Sequence, residues 1–281
     1  MPGAQDIHFT LTFEYPSVSD NLLWNDQADQ DLFERIKTVK REGRFARDNS
    51  EDALTWNLFQ YLEKSAVLQE WLSHISNKGQ RETELIYWSY SQKDQGSWPE
   101  LNKARMEFGE NLQRSSEPDL IAVTNKAIFF IEAKLTAKKE TRPGNPTELK
   151  KYLTGGNQWF KKVFISDYEM VSIKQKRYEL LRFWLLGSWL SKDLGKDFYL
   201  INLVPSQWEV EIEALFIPHI KMVPGRIFKR STWEDVFAFA IENGPMTREK
   251  EMLRDYFENK TTDYDGLGVL RPAFNAGLKN N

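Results

Sequence analysis

Residues 117–135 read EPDLIAVTNKAIFFIEAKL, and this stretch decides the fold. Two apolar runs rich in β-branched and aromatic residues, 120–123 and 127–135, flank Thr124-Asn125-Lys126. Alternation with period two predicts a pair of antiparallel strands, and Asn125 tolerates the positive φ that a tight turn requires. The stretch therefore predicts a β-hairpin that turns on Asn125 and Lys126.

The register of this hairpin brings two acids together. If Thr124 pairs with Ala127, continuing the ladder outward places Asp119 opposite Glu132. Directly opposed side chains have Cβ atoms about 5 Å apart, and like charges at that distance are destabilising. A shared divalent cation is the obvious reason for holding them there. Lys134 lies two residues beyond Glu132 and so belongs to the same face of the sheet.

The second strand is apolar on both faces until its last residues. Ile128 and Phe130 share one face with Glu132, whereas the alternate positions 129, 131, 133 and 135 share the other. This pattern predicts a central strand covered on both sides. Charges at the end of such a strand are costly unless they are paired or bind metal. The alternative interpretation is a surface hairpin that ends in an ordinary Glu–Lys pair.

The hairpin resembles the catalytic hairpin of the PD-(D/E)XK nuclease superfamily. The matching residues are Pro118-Asp119 and Glu132-Ala133-Lys134. The resemblance covers residues 117–135 strictly and about 45–204 loosely. It implies an α/β fold with a restriction-endonuclease-like core, in which a mixed β-sheet with a central catalytic hairpin is flanked by helices. It also implies hydrolysis of phosphodiester bonds.

The resemblance further implies a cofactor and a set of ligands. Mg²⁺, with Mn²⁺ as a substitute, would bind Asp119, Glu132 and the backbone carbonyl of Ala133, while Lys134 would orient the attacking water. Such oxygen ligands favour Mg²⁺ or Mn²⁺ over zinc. Family members typically add an acidic residue on a helix before the hairpin and a polar helix after it.

Two positions are candidates for these additions. Ser50 is predicted to cap a helix that continues to about residue 71, and Glu51 lies on its apolar stripe. Glu51 is therefore the candidate fourth metal ligand, with Asp52 on a different side of the helix. The alternative is an ordinary first-turn acid favoured by the helix dipole. Gln158, in a short helix opened by Gly155-Gly156, is the candidate polar residue after the hairpin.

A basic segment follows the hairpin. Residues 134–162 contain eight basic residues against two acidic ones, a net charge of +6. Because the segment adjoins the predicted metal site, we expect it to contact the phosphate backbone of a nucleic acid. The alternative is a solvated face. Besides Lys134, the candidates are Lys138, Lys139, Arg142, Lys150, Lys151, Lys161 and Lys162.

Composition excludes several other functions. The 281 residues carry a net charge of −3 and no cysteine, so disulfides, thiol catalysis and zinc–thiolate sites are excluded. The three histidines have no metal-binding or catalytic spacing, and no P-loop or nucleophile-elbow motif is present. No apolar run approaches the ~20 residues of a membrane span, and no signal peptide is recognisable. We therefore expect a cytoplasmic protein with no membrane partner.

The pattern of elements predicts one domain with additions at both ends. Residues 1–43 form an N-terminal extension packed on the core, 44–205 form the nuclease core, and 206–281 form a C-terminal accessory region. Helices are expected at 178–194 and 233–241, and strands at 84–90, 198–204 and 214–217. Residues 91–116 are expected to be an irregular insertion.

The hairpin and its resemblance together predict a metal-dependent nuclease. The resemblance implies that the substrate is DNA and that the setting is restriction, repair or anti-phage defence. Two alternatives stay open. One is a non-catalytic nucleic-acid-binding or scaffold protein that retains the fold. The other is a nuclease subunit that is active only in a complex. A homodimer or a partner protein is also open.

Overall fold

The computed structural model describes residues 11–40, 43–112, 117–136, 140–144 and 149–274, with only the backbone at 149 and 150. These residues form an α/β fold in which a mixed seven-stranded sheet is flanked by helices. The strand order is β3-β2-β1-β4-β5-β6-β7, antiparallel except for the parallel pairs β5–β6 and β6–β7. The strands are β1 Glu84–Tyr87, β2 Tyr90–Ser91, β3 Gly96–Ser97, β4 Leu120–Val123, β5 Ala127–Ala133, β6 Asp197–Val204 and β7 Arg226–Thr232.

The hairpin between β4 and β5 has the predicted register. Leu120 pairs with Ile131 and Val123 with Ile128. The Thr124 hydroxyl closes the turn by accepting the Ala127 N–H at 2.9 Å. All seven residues of β5 are buried, and the strand lies between β4 and β6. The prediction of a central strand covered on both sides is confirmed.

Helices cover both faces of this sheet. In the described ranges they are α1 Gln27–Lys37, α2 Glu51–Lys64, α3 Leu68–Ser76, α4 Pro99–Glu107, α5 Leu149–Val163, α6 Tyr178–Leu194, α7 Ile212–Phe216, α8 Trp233–Asn243 and α9 Arg248–Asn259. Helices α1, α2, α3, α8 and α9 pack on the face that carries Phe129 and Ile131. Helices α4 to α7 pack on the face that carries Ile128 and Phe130. The alternation along β5 thus divides the core into two apolar layers.

Several predicted elements are confirmed and others are corrected. The helices at 178–194 and 233–241 and the strand at 198–204 are present. The helix from Ser50 ends at Lys64, because Ala66 adopts a left-handed φ of 62° before α3 begins. The strand predicted at 84–90 stops at Tyr87, because Trp88 and Ser89 have φ values of 46° and 74°.

Two other predictions are wrong. The segment 91–116 is not wholly irregular, since it contains β3 and α4, which starts with Pro99 in its first turn. Residues 214–217 do not form a strand but belong to α7 and the 3-10 turn that follows it. Ile212 and Phe216, four residues apart, are both fully buried, and this helical spacing explains the difference.

The C-terminal third of the chain contributes to the central sheet. Strand β7 pairs in parallel with β6 from Phe198↔Arg226 to Val204↔Thr232. Strands β8 Thr261–Tyr264 and β9 Leu270–Pro272 form a separate two-stranded sheet. None of the helices in the described residues is long and apolar enough to cross a membrane.

Candidate active site

The site lies where β5 ends, and its backbone is held on two sides. The Lys134 N–H donates to the Leu203 carbonyl at 2.8 Å, so the chain stays beside β6 for one residue beyond Ala133. The Trp233 indole of α8 donates to the Lys134 carbonyl at 3.0 Å. These two hydrogen bonds hold the backbone at the end of β5 and so fix the direction of the Glu132 and Lys134 side chains.

Asp119 lies across from this strand end. Its Oδ2 accepts the Ala133 N–H at 2.8 Å, and its carbonyl accepts the Trp88 N–H at 3.2 Å. In an extended strand the N–H and C=O of one residue point to the same side. The Ala133 carbonyl therefore points towards Asp119 as well.

Glu132 is an incompletely paired buried acid. Its side chain is only 3% exposed, and its Oε1 accepts a hydrogen bond from the Lys134 ammonium. Its Oε2 is buried and has no hydrogen-bond partner among the described residues. A buried polar atom without a partner is costly, and it marks a place where a ligand would be bound.

Glu179 completes the surroundings of Lys134. Its carboxylate lies 3.1 Å from the Lys134 ammonium and is 26% exposed. It belongs to the first turn of α6, where its backbone N–H donates to the Thr141 hydroxyl at 2.9 Å. Glu179 is not among the site residues predicted from the sequence. A first-turn acid on a predicted helix is the only local signal, and it does not indicate which strand the helix start approaches.

The start of α2 contributes Glu51. Ser50 caps the helix as predicted, accepting the Ala53 N–H at 3.1 Å. Glu51 Oε2 then accepts the Leu135 N–H at 3.0 Å, which brings this acid to the end of the hairpin. Asp52 turns away and pairs with Lys40 at 2.9 Å.

Burial and mutual repulsion disfavour the charged forms of these acids. Burial raises the pKa of Asp119 to about 7, with Lys134 opposing the shift and Glu51 adding to it. Burial, together with Asp119 and Glu179, raises the pKa of Glu132 well above its ordinary value. Burial also raises the pKa of Glu51. One ammonium group does not compensate three carboxylates in a site of this depth.

Lys134 responds in the opposite direction. Burial by itself would lower its pKa, but Glu132, Glu179 and the other acids hold it well above the ordinary value of 10.5. The side chain is 15% exposed. With these acids around it, Lys134 is a cation near neutral pH and is not suited to act as a general base.

The donor atoms fit a hard divalent cation, although they do not form a finished cage. Carboxylate oxygens of Asp119, Glu132 and Glu51 and the Ala133 carbonyl are the ligand types that Mg²⁺ and Mn²⁺ prefer. Glu132 contributes an Oε2 that is buried and has no hydrogen-bond partner among the described residues. Across the described residues, however, no three His, Cys, Asp or Glu side chains converge into a preformed metal-binding group. A metal at Glu132 would compete with Lys134 for this carboxylate.

Glu209, which contacts the strand next to Glu132, has a partner for each of its carboxylate oxygens. Asn202 of β6 neighbours Glu132 in register, and its amide donates to Glu209 at 2.7 Å. Arg177 pairs with the other oxygen of Glu209 at 2.8 Å. Glu209 therefore differs from Glu132, whose Oε2 has no hydrogen-bond partner among the described residues.

The structure does not bring Gln158 to these acids. The predicted helix does not open at Gly155-Gly156, because α5 is interrupted there and Gly156, Asn157 and Gln158 have φ values between 55° and 59°. Gln158 is exposed and accepts a hydrogen bond from Lys161 at 3.0 Å. In this conformation Gln158 contacts the last turn of α5 and not the hairpin.

The predicted basic segment is only partly described. Lys138 and Lys139 and the side chain of Lys150 lie outside the described residues. Arg142 is exposed, and Lys151 lies over the Tyr152 ring at 5.1 Å. Lys161 and Lys162 are exposed on α5, with Lys162 5.4 Å from the Trp159 ring. None of the described contacts joins these side chains to Asp119 or Glu132.

A cleft of about 360 Å³ opens beside the acids. Its lining includes Glu51, Asp52, Asp119 and Thr136. Among the described basic residues, Lys40, Arg44 and Arg47 line it as well. Residues 37–47 contain five basic side chains, but the predicted domain boundary at 43/44 divides them, so they were not recognised as a group from the sequence.

Comparison with known proteins yields no relative: no family model matches the chain, and no curated protein or solved structure is significantly similar to it.

Proposed function

We propose that this protein is a metal-dependent nuclease with a restriction-endonuclease-like core. The observation that carries the proposal is the buried, unpartnered Oε2 of Glu132 at the end of a central strand. Asp119, Glu51 and Lys134 surround the same strand end, from the three chain segments that the resemblance requires. The α/β sheet with β5 between an antiparallel and a parallel neighbour supports this assignment.

Asp119, Glu132, Glu51 and the Ala133 carbonyl would hold Mg²⁺, with Mn²⁺ as a substitute. When bound, the metal would neutralise a phosphate oxygen and lower the pKa of a bound water. The protein's own contribution is to hold these oxygens in place through backbone bonds. The Ala133 N–H orients Asp119, and the Leu135 N–H orients Glu51.

Lys134 would supply a fixed positive charge next to the reacting phosphate. An ammonium group in a poorly solvated site stabilises the negative charge that develops on phosphate oxygens. Glu179 gives Lys134 a second carboxylate partner at 3.1 Å. The ammonium therefore keeps one ion pair when Glu132 exchanges it for a metal.

The substrate of this proposal is DNA, in restriction, repair or anti-phage defence, as the family resemblance implies. One observation favours a second candidate. Lys134 already pairs with Glu132, and no preformed metal-binding group exists in the described residues. A nucleic-acid-binding protein that keeps the fold without catalysis would have this arrangement permanently.

A cleavage experiment distinguishes the two candidates. Purified protein is incubated with circular plasmid, linear duplex, single-stranded DNA and single-stranded RNA, in Mg²⁺, in Mn²⁺ and in EDTA. We expect cleavage of DNA with either metal and none in EDTA. Binding without cleavage of any substrate would favour the non-catalytic candidate and contradict the proposal.

A further inference from the structure

The cleft beside the acids is lined by groups of both charges. Glu51 and Asp119 line it, and so do Lys40, Arg44 and Arg47. A site that held only a metal cation would gain nothing from these positive groups. An anion that lies beside the acids would be attracted by these positive groups.

The three cations of the cleft differ in their surroundings. Lys40 forms an ion pair with Asp52 at 2.9 Å, and its ammonium lies over the Trp88 ring at 4.4 Å. The Arg47 guanidinium is 3.8 Å from Glu14 and keeps 35% of its side chain exposed. Arg44 is exposed, and it forms no ion pair with a described residue. Arg44 and Arg47 are the two that can receive a ligand.

The turn that carries both arginines is held firmly. The Arg47 N–H donates to the Arg44 carbonyl at 2.9 Å. The buried Asn21 amide donates to the carbonyls of Phe45 and Arg47 at 2.7 and 2.8 Å. The Phe45 ring packs edge-on against Trp88 at 5.2 Å. Little ordering of the backbone is therefore needed when a ligand binds.

We infer that this cleft binds the phosphodiester backbone of one nucleic-acid strand, with Arg44 and Arg47 contacting the phosphates next to the one that a metal at Asp119 and Glu51 would bind. Arginine suits this role because its planar fork donates two parallel hydrogen bonds to a phosphate. A volume of about 360 Å³ accommodates a segment of one strand, at the small end of the range for ligand sites. The inference rests on the proposed function for its ligand, and it assigns the strand to a surface different from the exposed lysines of α5.

Binding measured without metal tests this assignment. Fluorescence anisotropy of a labelled single-stranded DNA oligonucleotide is followed in EDTA over a range of salt concentrations. The test protein is the double variant Arg44→Gln/Arg47→Gln. The matched control is Lys161→Gln/Lys162→Gln, which removes two charges from the surface of α5. A charge-preserving variant, Arg44→Lys/Arg47→Lys, and thermal melting of each protein check for loss of the fold.

We expect the arginine-to-glutamine pair to weaken binding at least tenfold. The slope of log affinity against log salt should fall by about 1.4, since each phosphate contact with a single strand accounts for about 0.7. The lysine-to-glutamine control should bind nearly as the wild type does, and the charge-preserving variant should keep most of the salt slope. Equal losses in both glutamine pairs, or an unchanged slope in the arginine pair, would overturn the inference.

The outcomes separate this inference from the proposed function. Because the assay contains EDTA, it reports binding even if the protein has no nuclease activity. If binding depends on Arg44 and Arg47 but the protein never cleaves, the proposed nuclease activity is refuted and strand binding in the cleft is supported. If the protein cleaves with metal and the double variant Arg44→Gln/Arg47→Gln cleaves equally well, the nuclease activity is supported and strand binding in the cleft is refuted.

Discussion

The Lys134 ammonium lies 3.1 Å from the Glu179 carboxylate, which joins the end of β5 to the first turn of α6. The same ammonium contacts Glu132, so one cation is shared by two acids on different elements. Both contacts exist at the same time, so the ammonium would keep Glu179 as its partner if a metal displaced it from Glu132.

The shared cation leads to a prediction about metal affinity. Glu179→Gln removes the alternative partner, so Lys134 stays on Glu132 and competes with the metal. We expect the affinity for Mn²⁺, measured by calorimetry, to fall about tenfold, or about 1.4 kcal/mol. In a Lys134→Met background the same change should have little effect, because the competing cation is absent. Equal losses in both backgrounds would show that Glu179 acts independently of Lys134.

The two acids at the start of α2 predict different effects on activity. Glu51 contacts the hairpin through the Leu135 N–H, whereas Asp52 is paired with Lys40. We therefore expect Glu51→Gln to reduce metal-dependent cleavage at least tenfold, about 1.4 kcal/mol in the barrier, and Asp52→Asn to remain near wild type. Initial rates at saturating metal give the comparison. The reverse pattern would move the ligand to Asp52.

The raised pKa of Asp119 predicts how stability depends on pH. An acid whose pKa is higher in the folded protein stabilises the fold below its ordinary pKa of 3.8, and this contribution is lost as the pH rises through about 7. In EDTA, the melting temperature should therefore fall between about pH 4 and pH 7, and Asp119→Asn should flatten the decrease. Mn²⁺ added at pH 8 should restore stability to the wild type only. Parallel pH curves for the two proteins would contradict this assignment.

A glycine in α6 tests the packing that places Glu179. A Cβ at Gly187 would lie 2.1 Å from the Phe198 ring on β6. Alanine normally stabilises a helix by about 1 kcal/mol relative to glycine, but overpacking costs about 1–3 kcal/mol. At so short a distance the clash should dominate, and Gly187→Ala should lower the free energy of unfolding by at least about 1 kcal/mol in urea titrations. Gly79→Ala, with no atom within 4 Å of its Cβ, is the control and should be neutral.

Local rules were enough to predict the centre of this fold. The period-two pattern and the Asn125 turn define the hairpin register, and Leu120 pairs with Ile131 as expected. The Ser50 cap and the apolar stripe after it predict the start of α2, although not its end at Lys64. Such signals work because each depends on residues close together in the sequence.

Tertiary proximity was not predictable in the same way. Glu179 reaches Lys134 only because α6 starts beside the end of β5, and no local pattern records that placement. Arg44 reaches the cleft through a turn that Asn21 holds from another segment. The prediction for Gln158 is wrong for a related reason, because α5 is interrupted at this residue. Strand ends and helix caps were therefore easier to predict than the side chains that meet there.

Cleavage of plasmid DNA by the wild type and by Glu132→Ala, in Mg²⁺ and in EDTA, tests the central claim most directly. A thermal melt of each protein accompanies the assay, and the variant should melt at or above the wild-type temperature in EDTA, because a buried acid without a full set of partners has been removed. We predict that the wild type cleaves only with metal and that the folded variant does not cleave. Metal-dependent cleavage by folded Glu132→Ala at the wild-type rate would contradict the account.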